Sequence, residues 1–561
     1  MANGIRQRNL EGSPKVRFSA AQPMLDKYVR QKNRLPRWVG ELYLEFHRGT
    51  LTTHAYNKKM NRFMELKMRE LEFLYGAFAM SKYPQKKLDA MWKVVLLNQF
   101  HDIIPGSSIS HVYKDSHRQY RELEAQVQEL ESDFIKRLSG NKKGSVTFVN
   151  TLSFTAKLPL EIPTGWDGFN VLDSDGKNVE VQKVDGKLYT LQTIAPLSSL
   201  TLHKGEKETG EKQVKALPEK RTLENRLIRY EFDEHGQIRR IYDKQAKCDV
   251  LARGKSGNVL NLYEDRPNAW DAWDIDIFYE NQWREHAALS SWRWISAGPL
   301  LSVAEMEFTI GQSLIKQRIT LSANSKRLEF DTWVDWKEKH KMLRVGFTAN
   351  VEATEASYEI QYGTIKRPTH RNTSWNMAKF EVVGHRFADL SDNQYGVAIL
   401  NDCKYGHKIH DNYIELNLLR SPNMPDPDAD QCEHRFTYAL LPHENVLHES
   451  SVLAEAAVLN QPPLAIPNGK EKKLSFPVSL DSERVVLEVL KKAEKEDAII
   501  LRLYEPHNMR CSVNLTLVDP EARLFETNML EEGDKEMRVN NGVAKLKFKP
   551  FEIKTFKITR S

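Results

Sequence analysis

A histidine and an aspartate stand side by side in the string Asn98-Gln99-Phe100-His101-Asp102-Ile103-Ile104-Pro105-Gly106-Ser107-Ser108. A neutral imidazole offers one nitrogen to a transition metal, and the adjacent carboxylate offers a second ligand or an acceptor for sugar hydroxyls. The same pair also suits a helix end, where the dipole favours the histidine and the aspartate opens a turn. A second run, Trp38-Val39-Gly40-Glu41-Leu42-Tyr43-Leu44-Glu45-Phe46-His47-Arg48-Gly49-Thr50, alternates charged groups with aromatic ones. Sugar sites need both, since rings pack on C–H faces while hydroxyls take charged partners. By composition alone it reads equally as an edge strand or a loop entering a helix.

Three later segments are dense in aromatic and charged residues: Tyr263 to Asp274, Arg367 to Trp375, and Leu418 to Pro422 with the Asp-Pro turn that follows at 425–430. Aromatic residues in strands are mostly core, and Asp-Pro is first a turn signal. Cys403-Lys404 and Glu433-His434 suggest nucleophile and base only on paper, because no third group orients them. Cys403 reads as a buried structural thiol.

The elements that must carry these residues change character along the chain. Apolar residues from Tyr56 to Phe78 recur at three-and-four spacing. A second helix follows Pro84 and runs toward the His-Asp pair, and a third spans about Ser116 to Leu138. Short connections join them as an antiparallel three-helix bundle. Beyond Asn141-Lys142-Lys143-Gly144 the pattern becomes short alternating runs with Gly, Asn, Asp and Pro between them, the signature of antiparallel sandwiches. The fold class is therefore multidomain α+β, a three-helix bundle followed by antiparallel β-sandwich domains. The expected divisions are a tail at 1–35, the bundle at 36–140, a small β unit at 141–215, a large sandwich at 216–462 and a last β domain at 463–561. Lys204 to Lys220 reads as a solvated connection, and the Pro-rich 461–467 stretch as a linker.

Composition narrows the function classes. Of 561 residues, 40% are hydrophobic and 28% charged, a globular balance. The net charge of +6 is a small difference between 82 basic and 76 acidic residues. No basic block concentrates it, so no nucleic-acid partner is expected. No apolar stretch is long enough to cross a bilayer, and no membrane partner is expected. Four scattered cysteines and a start without an apolar signal core point to a cytoplasmic protein with reduced thiols.

Taken in order, these segments resemble glycoside hydrolase family 38, the retaining α-mannosidases, in particular its bacterial branch with the mannosylglycerate hydrolase-like members. The resemblance runs from about Pro36 to the C-terminus. It implies that His101 is a zinc ligand, that Asp102 contacts substrate hydroxyls, and that Tyr263 and Arg420 match positions reaching the sugar site. Zinc is the implied cofactor, and an α-mannoside or oligosaccharide the implied substrate. Relatives often associate, so a homo-oligomer is a further expectation.

The family's N-terminal domain carries a His-x-Asp pair and a further Asp as the other zinc ligands, the last also the nucleophile, together with an acid/base Asp. No His-x-Asp occurs in this sequence. Lys15-Val16-Arg17-Phe18-Ser19 resembles the end of that domain. The expectation is a C-terminal portion of an α-mannosidase lacking both catalytic carboxylates, with an incomplete zinc site and a separately encoded N-terminal half as partner. The alternative is a catalytically inactive carbohydrate-binding or scaffold remnant.

Overall fold

A computed structural model describes residues 12, 18–140, 143–207, 217–469 and 474–559. The chain divides into two compact units, Met1–Leu44 and Glu45–Ser561. In the first, Gln22–Arg30 is helical without burying a residue, in keeping with its weak apolar pattern. Residues 15–17 of the family-like Lys15 to Ser19 string lie outside the described residues.

The second unit opens with three helices, Ala55–Phe78, Gln85–Asn98 and Ser110–Leu138. The last starts at Ser110 rather than Ser116, because its first turns, Ser110 to Asp115, bury only Tyr113 and carry no apolar stripe. The bundle does not hold a core of its own. Met64, Met68, Leu71 and Leu74 share one hydrophobic cluster with Leu487, Leu490 and Phe556 of the C-terminal strands. Helix Ala55–Phe78 comes so close to those strands that a Cβ on Gly76 would stand 2.8 Å from Leu490 Cδ2. Arg69 fastens the contact by donating to the Glu488 and Leu487 carbonyls at 3.0 and 3.2 Å.

The two large sheets are built from antiparallel pairs, as the alternating runs predict. One has nine strands, with Leu328–Asp335 and Glu433–Glu444 paired near its middle. The other has six, with Val259–Glu264, Lys341–Thr348 and Tyr413–Arg420 adjacent. Lys341–Thr348 is buried on both faces over Met342 to Phe347, so this sheet lies inside the molecule. The C-terminal domain pairs a three-stranded with a five-stranded sheet.

Two expected boundaries move. Leu464–Pro467 pairs with Ser145–Asn150, Phe148 facing Ala465, and so belongs to the small β unit rather than to the last domain. Its prolines read as a linker, yet it is an edge strand, where a missing N–H breaks no ladder. Nor is the small β unit separate. Phe148, Leu160 and Trp166 pack in one cluster with Phe387, Leu400 and Leu441 of the nine-stranded sheet. Helix Val452–Asn460 joins that cluster and escapes sequence periodicity because it is apolar nearly all round. Residues 141–142 and 208–216, parts of two expected connections, lie outside the described residues. No described helix is long and apolar enough to cross a membrane.

Candidate functional site

The His101–Asp102 pair lies just past the end of helix Gln85–Asn98, in a loop tied down on nearly every side. Asn98 is fully buried; its amide donates to Gln119 Oε1 at 2.8 Å, and its Oδ1 accepts from Ser116 Oγ. Gly106 takes a left-handed φ of +89°, and a Cβ there would meet the Thr53 carbonyl oxygen at 2.5 Å. Lys58 Nζ donates to the Thr53 carbonyl and, at 2.9 Å, to that of Ile104. Ser107 Oγ donates to Asp102 Oδ1 at 2.9 Å, and Tyr113 Oη donates to the Asp102 carbonyl at 3.2 Å.

Behind the loop, the Tyr113 ring stacks on His54 at 3.5 Å, and His54 Nε2 lies 3.2 Å from Asp426 Oδ2. Ser110 Oγ donates to Asp426 Oδ1 at 2.6 Å. The His54 and Ala55 amides donate to the Asp430 carboxylate at 2.7 and 2.8 Å, satisfying donors at the start of helix Ala55–Phe78. Burial alone would push the Asp426 carboxyl up, but hydrogen bonds from His54, Ser110 and the Asp428 amide bring it down to about 2. Burial pushes Lys58 down to about 7. The Asp-Pro turn is thus more than a turn: Asp426 and Asp430 clamp the bundle to the sheet.

Against this fixed support, His101 is open. Its side chain is 74% exposed and that of Asp102 42%, with His101 Nε2 3.2 Å from Asp102 Oδ2. Phe100, Leu96, Leu97 and Ile109 flank the pair in sequence and are also exposed.

The other two expected substrate contacts are placed differently. Arg420, at the end of strand Tyr413–Arg420, is fully buried, with Nε 2.6 Å from Asp265 Oδ2. Its Nη1 donates to Thr53 Oγ1 and the Ala272 carbonyl, both at 3.0 Å, and its Nη2 to the carbonyls of Asp271 and Asp274. The Nη donors are thereby taken up by protein and Nε is buried against the Asp265 carboxylate, so Arg420 faces protein on all sides; it shapes the Trp270–Ile275 loop. Gly49 is required beside it, since a Cβ there would stand 2.5 Å from Arg420 Nη1. Tyr263 is also interior, its Oη donating to Glu415 Oε1 at 2.8 Å. Glu415 belongs to a buried chain of charges: Arg344 lies 2.7 Å from Glu381 and 3.1 Å from Glu415, and Lys408 bridges Glu415 and Glu280. Arg371 forks onto Glu280 with two bonds of 2.7 Å. Burial raises the Glu280 carboxyl, and the Arg371 hydrogen bonds and Lys408 more than offset this, to about 2.

The Arg420-shaped loop exposes one group the sequence reading left as core. Trp270 is 70% exposed with φ +61°, and its ring meets Trp273 edge-on at 5.9 Å. Arg48 was legible in the aromatic-charged run; it lies 3.6 Å from Asp274 and donates to the Ala378 carbonyl at 3.0 Å. Glu41 falls in the first unit. Cys403 is buried, as expected, and all four cysteines are free.

Among the described residues, no cluster of three or more His, Cys, Asp or Glu side chains is placed to hold a metal ion. One imidazole and one carboxylate fall short of the three protein ligands a catalytic zinc takes. The described donor set does not by itself fit zinc.

Family models match three stretches: the alpha mannosidase middle domain at residues 45–138, the glycosyl hydrolases family 38 C-terminal domain at 223–428, and the family 38 C-terminal beta sandwich domain at 484–556. Alpha-mannosidase 2C1 of Mus musculus is 33% identical over 98% of this chain, and alpha-mannosidase G of Dictyostelium discoideum 31% over 98%. The chain covers 53% and 55% of those proteins, so it spans about half their length. An alpha-mannosidase structure from Enterococcus faecalis superposes with a TM-score of 0.77 at 18% identity, over 95% of this chain and 71% of that one. With helices, sandwiches and loops in the matching order, the chain belongs to glycoside hydrolase family 38, of which it carries the middle and C-terminal domains.

Proposed function

We propose that this chain forms one wall of the active site of a retaining, zinc-dependent α-mannosidase, with an α-mannoside or oligosaccharide as substrate. The observation that carries the reading is the exposed His101–Asp102 pair on a loop immobilised by Gly106, Lys58, Ser107 and Tyr113. An immobile support with an open imidazole and carboxylate is what a preorganised binding wall needs. Asp102 Oδ1 accepts from Ser107 and Oδ2 lies 3.2 Å from His101 Nε2, so the two side chains present a coupled imidazole and carboxylate that a sugar hydroxyl or a metal shared with other ligands would engage together. Retaining hydrolysis needs a nucleophilic and an acid/base carboxylate on either side of the bond, and we assign neither to this chain. A family 38 N-terminal domain is what would supply them. The four free cysteines support a cytoplasmic location.

The test is hydrolysis of an aryl α-mannoside with added zinc, by this chain alone and by the chain co-expressed with a family 38 N-terminal half. The expected result is no turnover alone, and zinc-dependent turnover together that His101→Ala or Asp102→Ala abolishes. Turnover by the chain alone, or full activity of both variants, sinks the reading.

The exposed indoles of Trp270 and Trp375 favour one second reading, a sugar-binding protein without turnover. Calorimetry with mannose tests it; no heat at millimolar sugar counts against it.

A further inference from the structure

A cavity of about 530 Å³ opens between helix Ala55–Phe78 and the strands Leu328–Asp335 and Glu433–Glu444. No residue of the His101 loop lines it. Tyr56, Phe63, Trp333 and Phe436 supply aromatic walls, and Lys59 and Lys404 supply positive charge, the third lining cation, Arg435, being paired with Asp331.

Lys404 is the unusual member. It is 4% exposed, and its ammonium sits 3.9 Å from the centre of the Phe436 ring. Lys58 nearby gives its ammonium two carbonyl acceptors, yet Lys404 Nζ has no carboxylate within 4 Å and no hydrogen-bond acceptor among the described residues. Of the carboxylates around it, Asp430 accepts from the His54 and Ala55 amides, and Asp402 accepts from the Thr437 amide through Oδ2 while its Oδ1 has no hydrogen-bond partner among the described residues; neither comes within 4 Å of the ammonium. Burial accordingly pushes the Lys404 pKa down. The ammonium therefore keeps its remaining solvent contact through the cavity, and the Phe436 ring face replaces only part of its hydration.

The second cation is half committed. Lys59 Nζ donates to the Arg435 carbonyl at 2.6 Å and has two further N–H groups. Glu433 is held by Trp333 Nε1 at 3.2 Å, and Glu124 also lines the cavity. Two rim carboxylates disfavour a dianion and leave room for a single negative charge. Concave aromatic walls with one or two placed charges are the ordinary make-up of a small-molecule site.

We propose that this cavity binds a small aromatic monocarboxylate, its carboxylate on Lys404 and Lys59 and its ring among Tyr56, Phe63 and Trp333. The site is independent of the mannoside reading and adds a second ligand class to the protein.

The experiment is calorimetry on the full chain with 2-naphthoate, its neutral analogue 2-naphthamide, and inorganic phosphate, repeated on Lys404→Met. Sub-millimolar binding of naphthoate is expected, weakened about tenfold or more in K404M, as for loss of a charge-assisted contact. Naphthamide should bind at least about tenfold more weakly and be indifferent to K404M. K404M should unfold at the same or a higher temperature, because the ammonium makes no hydrogen bond or ion pair with the described residues. The proposal is overturned if naphthoate gives no heat at millimolar concentration, if K404M binds it equally well, or if phosphate binds more tightly. A fall of several degrees in the K404M midpoint overturns it too, since Lys404 would then be a structural group.

Discussion

Arg420→Met tests whether this arginine is a clamp within the protein or a group kept for a ligand. Methionine has a similar length, so the change removes polar contacts while leaving little void. The ion pair with Asp265 is 2.6 Å long between side chains 0% and 1% exposed. Losing one partner of such a pair costs about 3–5 kcal/mol, because the other charge stays buried and unpaired. The carbonyls of Asp271, Ala272 and Asp274 lose their donors as well, at about 1 kcal/mol each where water does not reach them. These terms overlap, since the loop can relax, and a loss of about 4–6 kcal/mol is the expectation. The assay is urea unfolding followed by near- and far-UV circular dichroism, with coincidence of the two curves as the check on two-state behaviour.

A pH series sharpens the result. Burial pushes the Asp265 carboxyl up even beside Arg420, and removing the guanidinium raises it further. The folded state then binds more protons than the unfolded one between the two pKa values, so stability falls as pH rises through that window. The R420M deficit should be smaller at pH 4 than at pH 7, and Asp265→Asn in the same chain should recover about 2 kcal/mol or more of it. A loss below about 1 kcal/mol, or strictly additive single and double variants, would refute the clamp and return Arg420 to the ligand.

Gly106→Ala should cost at least about 2 kcal/mol, since a left-handed alanine is strained by about 1–2 kcal/mol and its Cβ meets the Thr53 carbonyl. Amide exchange at residues 101–108 should quicken with it. Wild-type stability should rise with pH above about 7 through Lys58, because its folded pKa is near 7 while an unfolded lysine titrates near about 10.4, so the unfolded chain binds the extra proton between them. Lys58→Met should flatten that slope in a series of urea titrations from pH 7 to 10. His101→Ala should shift stability by no more than about 0.5 kcal/mol, given a side chain 74% exposed, and a larger shift would mark it as a structural residue.

Local pattern was enough for much of the architecture. Three-and-four spacing located helix Ala55–Phe78 almost to the residue, and alternation announced antiparallel sheets from 145 onward. Each rests on a period that a single segment carries and on the face that segment must bury. Where the period is absent, the element was missed: helix Val452–Asn460 is apolar nearly all round, and Leu464–Pro467 hides an edge strand behind its prolines.

The site divides along the same line. The order and wording of the string at 98–108 marked His101 and Asp102 and pointed to the family, because those residues lie together in one turn. Whether a polar residue faces solvent or protein depends on partners far away in the chain. Arg420 meets Thr53 across 367 positions, and His54 meets its Asp430 acceptor across 376. Only the folded chain could show that Arg420 and Tyr263 spend their polar groups inside the protein while His101 keeps its own outside. A residue type states what a side chain is able to bond; the packing of distant elements decides what is left for it to bond to.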